Sequence, residues 1–289
     1  VPVGEVPTLA DLGKKEFQQD ARTAFPFKGG ETAALEHLQA YFWEKDLAKT
    51  YKKTRNELLG SDFSTKFSPW LANGCISPKK IYAELKNYEK RVKKNESTYW
   101  IYFELLWRDF FRLMGKKHGD SIFLLGGPKG KAKSSWKIDK ELFTQWAKGE
   151  TGIPFIDANM KEINATGFMS NRGRQNVASF LVHDLSLNWK LGAEFFESLL
   201  LDYDPCSNYC NWNYIAGVGS DPRENRVFNI VGQAQRYDHD GVFVKTWLPV
   251  LENLPTEKVH QPDAVPSFEL EKYGIELGKN YPEPILDYH

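Results

Sequence analysis

TGIPFIDANMKEINATGFMSNRGRQ, residues 151–175, reads as one helix followed by the start of another. Apolar residues recur at helical spacing from Phe155 to Asn164, and a second helical pattern runs from Arg172 to Leu187. Asn171, Arg174, Gln175 and Ala178 fall on one face of that second helix, which taken alone is a polar, solvated helix start. Working outward, few segments alternate with period two and none forms a βαβ unit, so the expected fold is all-α, a multi-helix domain.

Upstream, Leu35, Leu38 and Phe42 mark one helical face after Gly29-Gly30. Ser77-Pro78 is a strong helix opening, an N-cap hydroxyl followed by a first-turn proline, with Ile81, Leu85, Tyr88 and Val92 repeating behind it. From Ser97 to about Met114 the chain is apolar nearly all round, the pattern of a helix buried at a centre. Within it Glu104, Trp107, Arg108 and Phe111 share a face, so an acid, an aromatic ring and a guanidinium form a candidate site wall. A Gly, Lys and Ser loop covers 126–135, and a further helix is expected near Lys140 to Trp146. Prolines 255, 262, 266, 282 and 284 predict a tail that wraps the surface or is partly mobile. The expected organisation is a lead-in over 1–30, a helical domain over 31–255 and the Pro-rich tail over 256–289.

Lys plus Arg and Asp plus Glu both number 38, so no global field draws the chain to nucleic acid, and any such contact must come from a local patch. Cys75, Cys206 and Cys210 are too few for a disulfide scaffold, and Cys206 and Cys210 lack companions at zinc spacing. They read as packing residues in a reducing compartment, whether cytoplasm, organelle or nucleus. No metal site is expected. No run of about 18 apolar residues occurs and mean hydropathy is −0.52, so no membrane-spanning helix is expected. The opening VPVGEVPT reads like a linker cut from a longer chain.

Two loops add chemistry. GSDFSTKFSPWLANGCISP, 60–78, crowds Ser61, Ser64, Thr65 and Ser68 around Lys66 ahead of a helix, and could hold a phosphate or be an ordinary capped turn. Neither GxxxxGK[ST] nor a GxGxxG after a strand is present. LLDYDPCSNYCNWNY, 200–214, is an acidic, Asn-rich turn in which a buried Asp202 needs a cation such as Arg174.

The 151–175 stretch, WRDFF at Trp107 to Phe111, and DYDPCSN at 202–208 resemble the photolyase and cryptochrome family, in order from about Gly30 to Pro255, and within it the DASH branch. The resemblance implies an FAD-binding helical domain. By position, Tyr51, Ser64, Thr65, Lys66, Phe67, Ser68 and Arg108 match its phosphate-holding elements. Arg174, Asp202, Tyr203 and Asp204 match the flavin surroundings, and Asn208 the residue facing flavin N5. Trp212, Trp189 and Trp136 match its electron relay, whereas without the resemblance all three are core packing.

Glu104, Trp107 and Asn171 match residues that receive a flipped-out pyrimidine dimer, and Arg172 matches a DNA contact. Gln175 and Tyr214 stand where the family's ordinary dimer photolyases carry Met and Trp, which implies weaker lesion binding and a preference for single-stranded DNA. The implied activity is blue-light-driven repair of cyclobutane dimers, with photoreception through flavin photoreduction as the alternative. The family's amino-terminal α/β domain is absent from this sequence, so an antenna pigment of folate type would reach it only through that domain in cis.

Overall fold

A computed structural model describes residues 4–15, 18–221 and 227–287. The first three residues of the lead-in and the last two of the tail lie outside them. Thirteen α-helices are present among the described residues: α1 Glu31–Gln39, α2 Tyr51–Thr54, α3 Ser68–Ala72, α4 Pro78–Arg91, α5 Glu96–His118, α6 Lys140–Lys148 and α7 Pro154–Thr166, then α8 Asn171–Ser179, α9 Trp189–Leu199, α10 Pro205–Ala216, α11 Ile230–Tyr237, α12 Val242–Trp247 and α13 Ser267–Leu270. Two isolated bridges are the only β pairing among those residues. The three cysteines are free.

Local chemistry sets the boundaries. Ser77 caps α4 by accepting from the Lys80 N–H, and Ile81, Leu85 and Tyr88 are fully buried. Val92 falls at the C-cap and is 50% exposed, so the apolar repeat stops one turn earlier than its spacing predicts. On α1 the buried face is Ala34 and Leu38, continued by Tyr41 and Phe42, while Leu35 points outward. An Asn95–Thr98 capping box starts α5, and Lys116, Lys117 and His118 close it.

Helix α5 departs from its expected burial. Only Ser97, Thr98, Ile101 and Phe111 are buried, and Leu113 is 64% exposed. The reason is its position: α5 lies between two cores, against α2 and α4 on one side and α10 on the other, which leaves its outer face without a partner. One core gathers α1, α3, α4 and Ile101; the larger gathers α6 to α12. A cleft remains between them.

The tail is built into the larger core through Val259, Val265, Leu270, Ile275 and Tyr281. It docks on the 151–157 segment, where the Ile285 N–H donates to the Thr151 carbonyl at 2.9 Å. A Cβ on Gly152 would stand 2.5 Å from the Glu283 carbonyl, so only glycine admits the tail there. Asp157 is fully buried and accepts from the Thr151 N–H (2.8 Å) and hydroxyl (2.7 Å), the Gly152 N–H (3.0 Å) and the Tyr281 hydroxyl (3.1 Å).

Asp157→Asn places an NH2 group against these donors and is expected to cost about 2–3 kcal/mol, with Tyr281→Phe costing about 1 kcal/mol. In thermal melts the first should lower Tm by roughly 5–10 °C. Equal melting temperatures for wild type and D157N would show that this carboxylate does not hold the tail.

Candidate functional site

The cleft holds three joined cavities. The inner one is lined by α8 and α10 with Asn208, Trp212, Arg174 and Tyr203. The middle one adds Tyr51, the 64–68 loop, Arg108 and Met169, and shares Asn171, Arg174, Asp202 and Asp204 with the first. The outer mouth shares Arg55, Glu104, Trp107 and Asn171 with the middle and adds Arg172, Gln175 and Tyr214. Every residue that sequence reasoning grouped around cofactor and lesion therefore lines one continuous space.

Arg174 on α8 is tied to the turn before α10. One guanidinium nitrogen lies 3.0 Å from each Asp202 oxygen, and its Nε donates to the Met169 carbonyl at 2.9 Å. Two residues on, Asp204 caps α10 through the Ser207 N–H at 2.9 Å, with Arg112 at 3.5 Å. Burial alone would raise the Asp204 pKa, but the bonds from Ser207 and the Arg108 and Arg112 charges outweigh it and hold the carboxyl below its usual value.

In the middle cavity Arg55 and Arg174 are ion-paired, whereas Lys66 and Arg108 have no carboxylate within 4 Å among the described residues. Lys66 is 3% exposed, in a left-handed backbone conformation (φ 52°), and its ammonium rests 3.0 Å above the Phe63 ring and donates to the Ser64 hydroxyl. Burial pulls its pKa down to about 7, with the Glu162 and Asp62 charges acting the other way. Arg108 donates from one nitrogen to the Leu71 carbonyl at 3.0 Å, while its other terminal nitrogen is buried with no partner among the described residues. Burial, then Arg112, lowers its pKa. Two desolvated cations and an orphaned donor in one cavity fit a bound pyrophosphate, as FAD carries.

In the inner cavity the Asn208 amide nitrogen donates to the Ala193 carbonyl at 2.9 Å, so the side-chain oxygen is the group it can offer inward. Trp212 packs so tightly on α9 that a Cβ on Gly192 would be 2.2 Å from its ring. Gly192 sits one turn beyond Trp189, whose Nε1–H donates to the Leu125 carbonyl at 3.0 Å. The Lys137↔Leu187 bridge, with Asn188 N–H to the Lys137 carbonyl at 2.9 Å, brings the segment of Trp136 beside Trp189. The three tryptophans thus run from cavity wall through full burial to a half-buried surface position.

At the mouth, Trp107 meets Tyr214 edge-on with centroids 6.0 Å apart. Glu104 is ion-paired with Arg55. Arg172 donates to Gln175 and to Asn56, each at 3.0 Å, and stacks 4.4 Å over Tyr237. Sequence reasoning missed Arg55 and Glu162. Arg55 follows Tyr51 by one helical turn, and that spacing was the available signal. Glu162 lies on the face of Asn159 and Ile163, fully buried with both oxygens unpartnered; burial drives its pKa to about 8 against the Lys66 and Arg174 charges.

Residues 100–289 match the family described as the FAD binding domain of DNA photolyase. A cryptochrome DASH of Gloeobacter violaceus is 53% identical over 287 residues, 99% of this chain and 57% of the relative. A Synechocystis cryptochrome structure superposes with a TM-score of 0.93 at 51% identity, over 98% of this chain and 58% of that one. A class III photolyase from Agrobacterium tumefaciens gives 0.84 at 34%, over 91% and 54%. The chain thus spans a little over half the length of these relatives.

A phosphate-bearing ligand held against Lys66 would recharge it, so that binding would take up a proton. Affinity for FAD, read by flavin fluorescence, should fall roughly ten- to thirtyfold from about pH 6.5 to about pH 8.5. Lys66→Arg stays charged throughout and should flatten this profile to what Glu162 alone imposes. An identical profile in the variant would remove Lys66 from the pyrophosphate site.

Proposed function

The chain belongs to the photolyase and cryptochrome family through its FAD-binding domain, and from that membership we propose that it is the flavin-bearing part of a protein that repairs cyclobutane pyrimidine dimers under blue light, preferring single-stranded DNA. The observation that carries this reading is one continuous cavity with two buried cations, Lys66 and Arg108, that have no ion-pair partner among the described residues, and an aromatic mouth at its outer end. When bound, FAD supplies a ring that absorbs blue light and exchanges single electrons.

Lys66 and Arg108, with Tyr51 and the hydroxyls of Ser64, Thr65 and Ser68, hold the pyrophosphate. Phe67 packs beneath the loop, and Arg174, Asp202, Tyr203 and Asp204 set the polar wall around the ring system. The Asn208 side-chain oxygen, oriented by the amide N–H that donates to the Ala193 carbonyl, would accept an N–H at that wall. Trp212, Trp189 and Trp136 would relay an electron inward one after another to bound, photoexcited oxidised FAD, with an external reductant restoring Trp136 at the surface.

The mouth receives the lesion. Trp107 stacks on the flipped bases, Asn171 and Gln175 offer amides, and Tyr214 closes the far side. Arg55, held against Glu104, brings positive charge to a pyrimidine carbonyl that gains an electron. Gln175 and Tyr214 grip the lesion less strongly than Met and Trp, so unpairing a duplex is poorly compensated and a single strand is favoured. Arg172 steadies the mouth through Asn56 and Gln175. A folate-type antenna belongs to a further α/β domain in cis.

The deciding measurement is dimer loss from single- and double-stranded oligonucleotides, in blue light and in darkness, with FAD-loaded, reduced protein. Light-dependent loss favouring single strands is expected, with Glu104→Gln lowering yield per bound dimer by roughly tenfold or more while binding changes little. Flavin photoreduction without dimer loss would replace repair with photoreception. Separately, Trp189→Phe should slow photoreduction at least about tenfold with FAD still bound; unchanged rates would break the relay assignment.

A further inference from the structure

The open outer face of α5 carries a chain of rings that leads away from the mouth. Tyr82 on α4 meets Tyr102 at 5.2 Å between centroids, Tyr102 meets Tyr99 at 6.4 Å, Tyr99 meets Phe103 at 6.0 Å, and Phe103 meets Trp107 at 6.0 Å. Trp100 joins at Phe103, 5.2 Å away. Phe103, Trp100 and Trp107 line the mouth, while Tyr99 and Tyr82 are 52% and 39% exposed. Tyr102, Phe103, Trp100 and Trp107 are partly buried between the two exposed tyrosines, and a run of partly exposed rings leaves apolar area in water that a ligand can cover.

Cations flank the run. Lys86 lies 5.3 Å from the Tyr82 ring and 5.9 Å from Tyr102, and Lys52 lies 4.7 Å above Trp100. Each also pairs with a carboxylate, Lys86 with Glu89 and Lys52 with Glu96. At the solvent end the α4–α5 turn adds exposed Lys90, Arg91, Lys93 and Lys94. On a chain with equal numbers of acidic and basic residues, this is a local basic patch beside aromatic rings.

We propose that this stripe is a stacking platform for the unpaired nucleotides on one side of the dimer, with the basic turn meeting their phosphates. Every base has a π face to offer a ring, whereas a duplex keeps its bases stacked on one another. Continuity with the mouth decides the occupant: what lies on Phe103 and Tyr99 is the immediate neighbour of what sits against Trp107. The proposal rests on the reading of the mouth as a lesion pocket, and it adds a second source of single-strand preference that acts outside that pocket.

The test uses the FAD-loaded chain and thymidylate oligonucleotides carrying one dimer, with an unpaired tail on the 5′ side only, on the 3′ side only, or with no tail. Tyr99→Ala/Tyr102→Ala is expected to weaken binding of one tailed form by about tenfold or more. The tailless dimer and the oppositely tailed form should bind as to wild type, and Tyr99→Phe/Tyr102→Phe should bind normally. Lys93→Ala/Lys94→Ala should lower the slope of log K against log salt by about 1.4 for the same tail. Unchanged affinity of the alanine variant for both tailed forms overturns the platform. If wild type does not distinguish dimer from undamaged thymidylate, the lesion pocket fails instead, and the platform is then judged by whether the alanine variant loses affinity for the undamaged strand.

Discussion

The Arg174–Asp202 pair is the constraint around which the cleft is organised. Asp202 keeps only 6% of its side chain exposed, and a carboxylate that deep needs a cation and several donors to stay charged. Its partner sits at the start of α8, which also carries Asn171 and Gln175, and Asp202 itself sits at the entrance to α10, which carries Asn208 and Trp212. One ion pair therefore ties the helix carrying Asn171 and Gln175 to the helix carrying Asn208 and Trp212. The pair is shielded on its Asp202 side, and a shift of α8 against the turn before α10 would break it.

Opposite that satisfied pair stand groups left unsatisfied. Lys66 and Glu162 are both pushed toward neutrality by burial, and Arg108 keeps an unbonded buried nitrogen. A chain selected for stability alone would replace these groups with apolar ones, since buried charge without compensation costs more than it returns. Their presence at one place makes the folded state a poor resting state and a good receptor for an anion. Ligand binding then feeds directly into stability, because the unfolded chain presents no such cluster.

Much of this was legible in the sequence. The Ser77-Pro78 helix start and the 155–164 helix follow from local rules, the need of Asp202 for a cation follows from the chemistry of a buried acid, and Arg174 as that cation came from the family resemblance. What local rules could not supply was which side of an apolar helix would be covered. Residues of α5 read as uniformly buried because their periodicity is nearly featureless, and only the gap between two separate cores leaves Leu106 and Leu113 in water. Glu162 was hidden for the converse reason: beside Lys161 it looks like half of a surface pair, and only helical phase places it inward. The proximity of Trp136, Trp189 and Trp212 depends on a single parallel bridge and one glycine, neither of which has a signature in sequence.

The latch between Tyr281 and Asp157 sets an order of events during synthesis. All residues lining the inner and middle cavities lie before residue 216, yet the carboxylate beneath α7 acquires its last donor only from residue 281. A nascent chain emerging residue by residue has thus released every residue that lines the inner and middle cavities before the last donor to Asp157 is available. The closing contact spans more than a hundred residues, and loop closure of that length is slow compared with helix formation. Completion of the buried Asp157 site is therefore timed by the arrival of the distal segment.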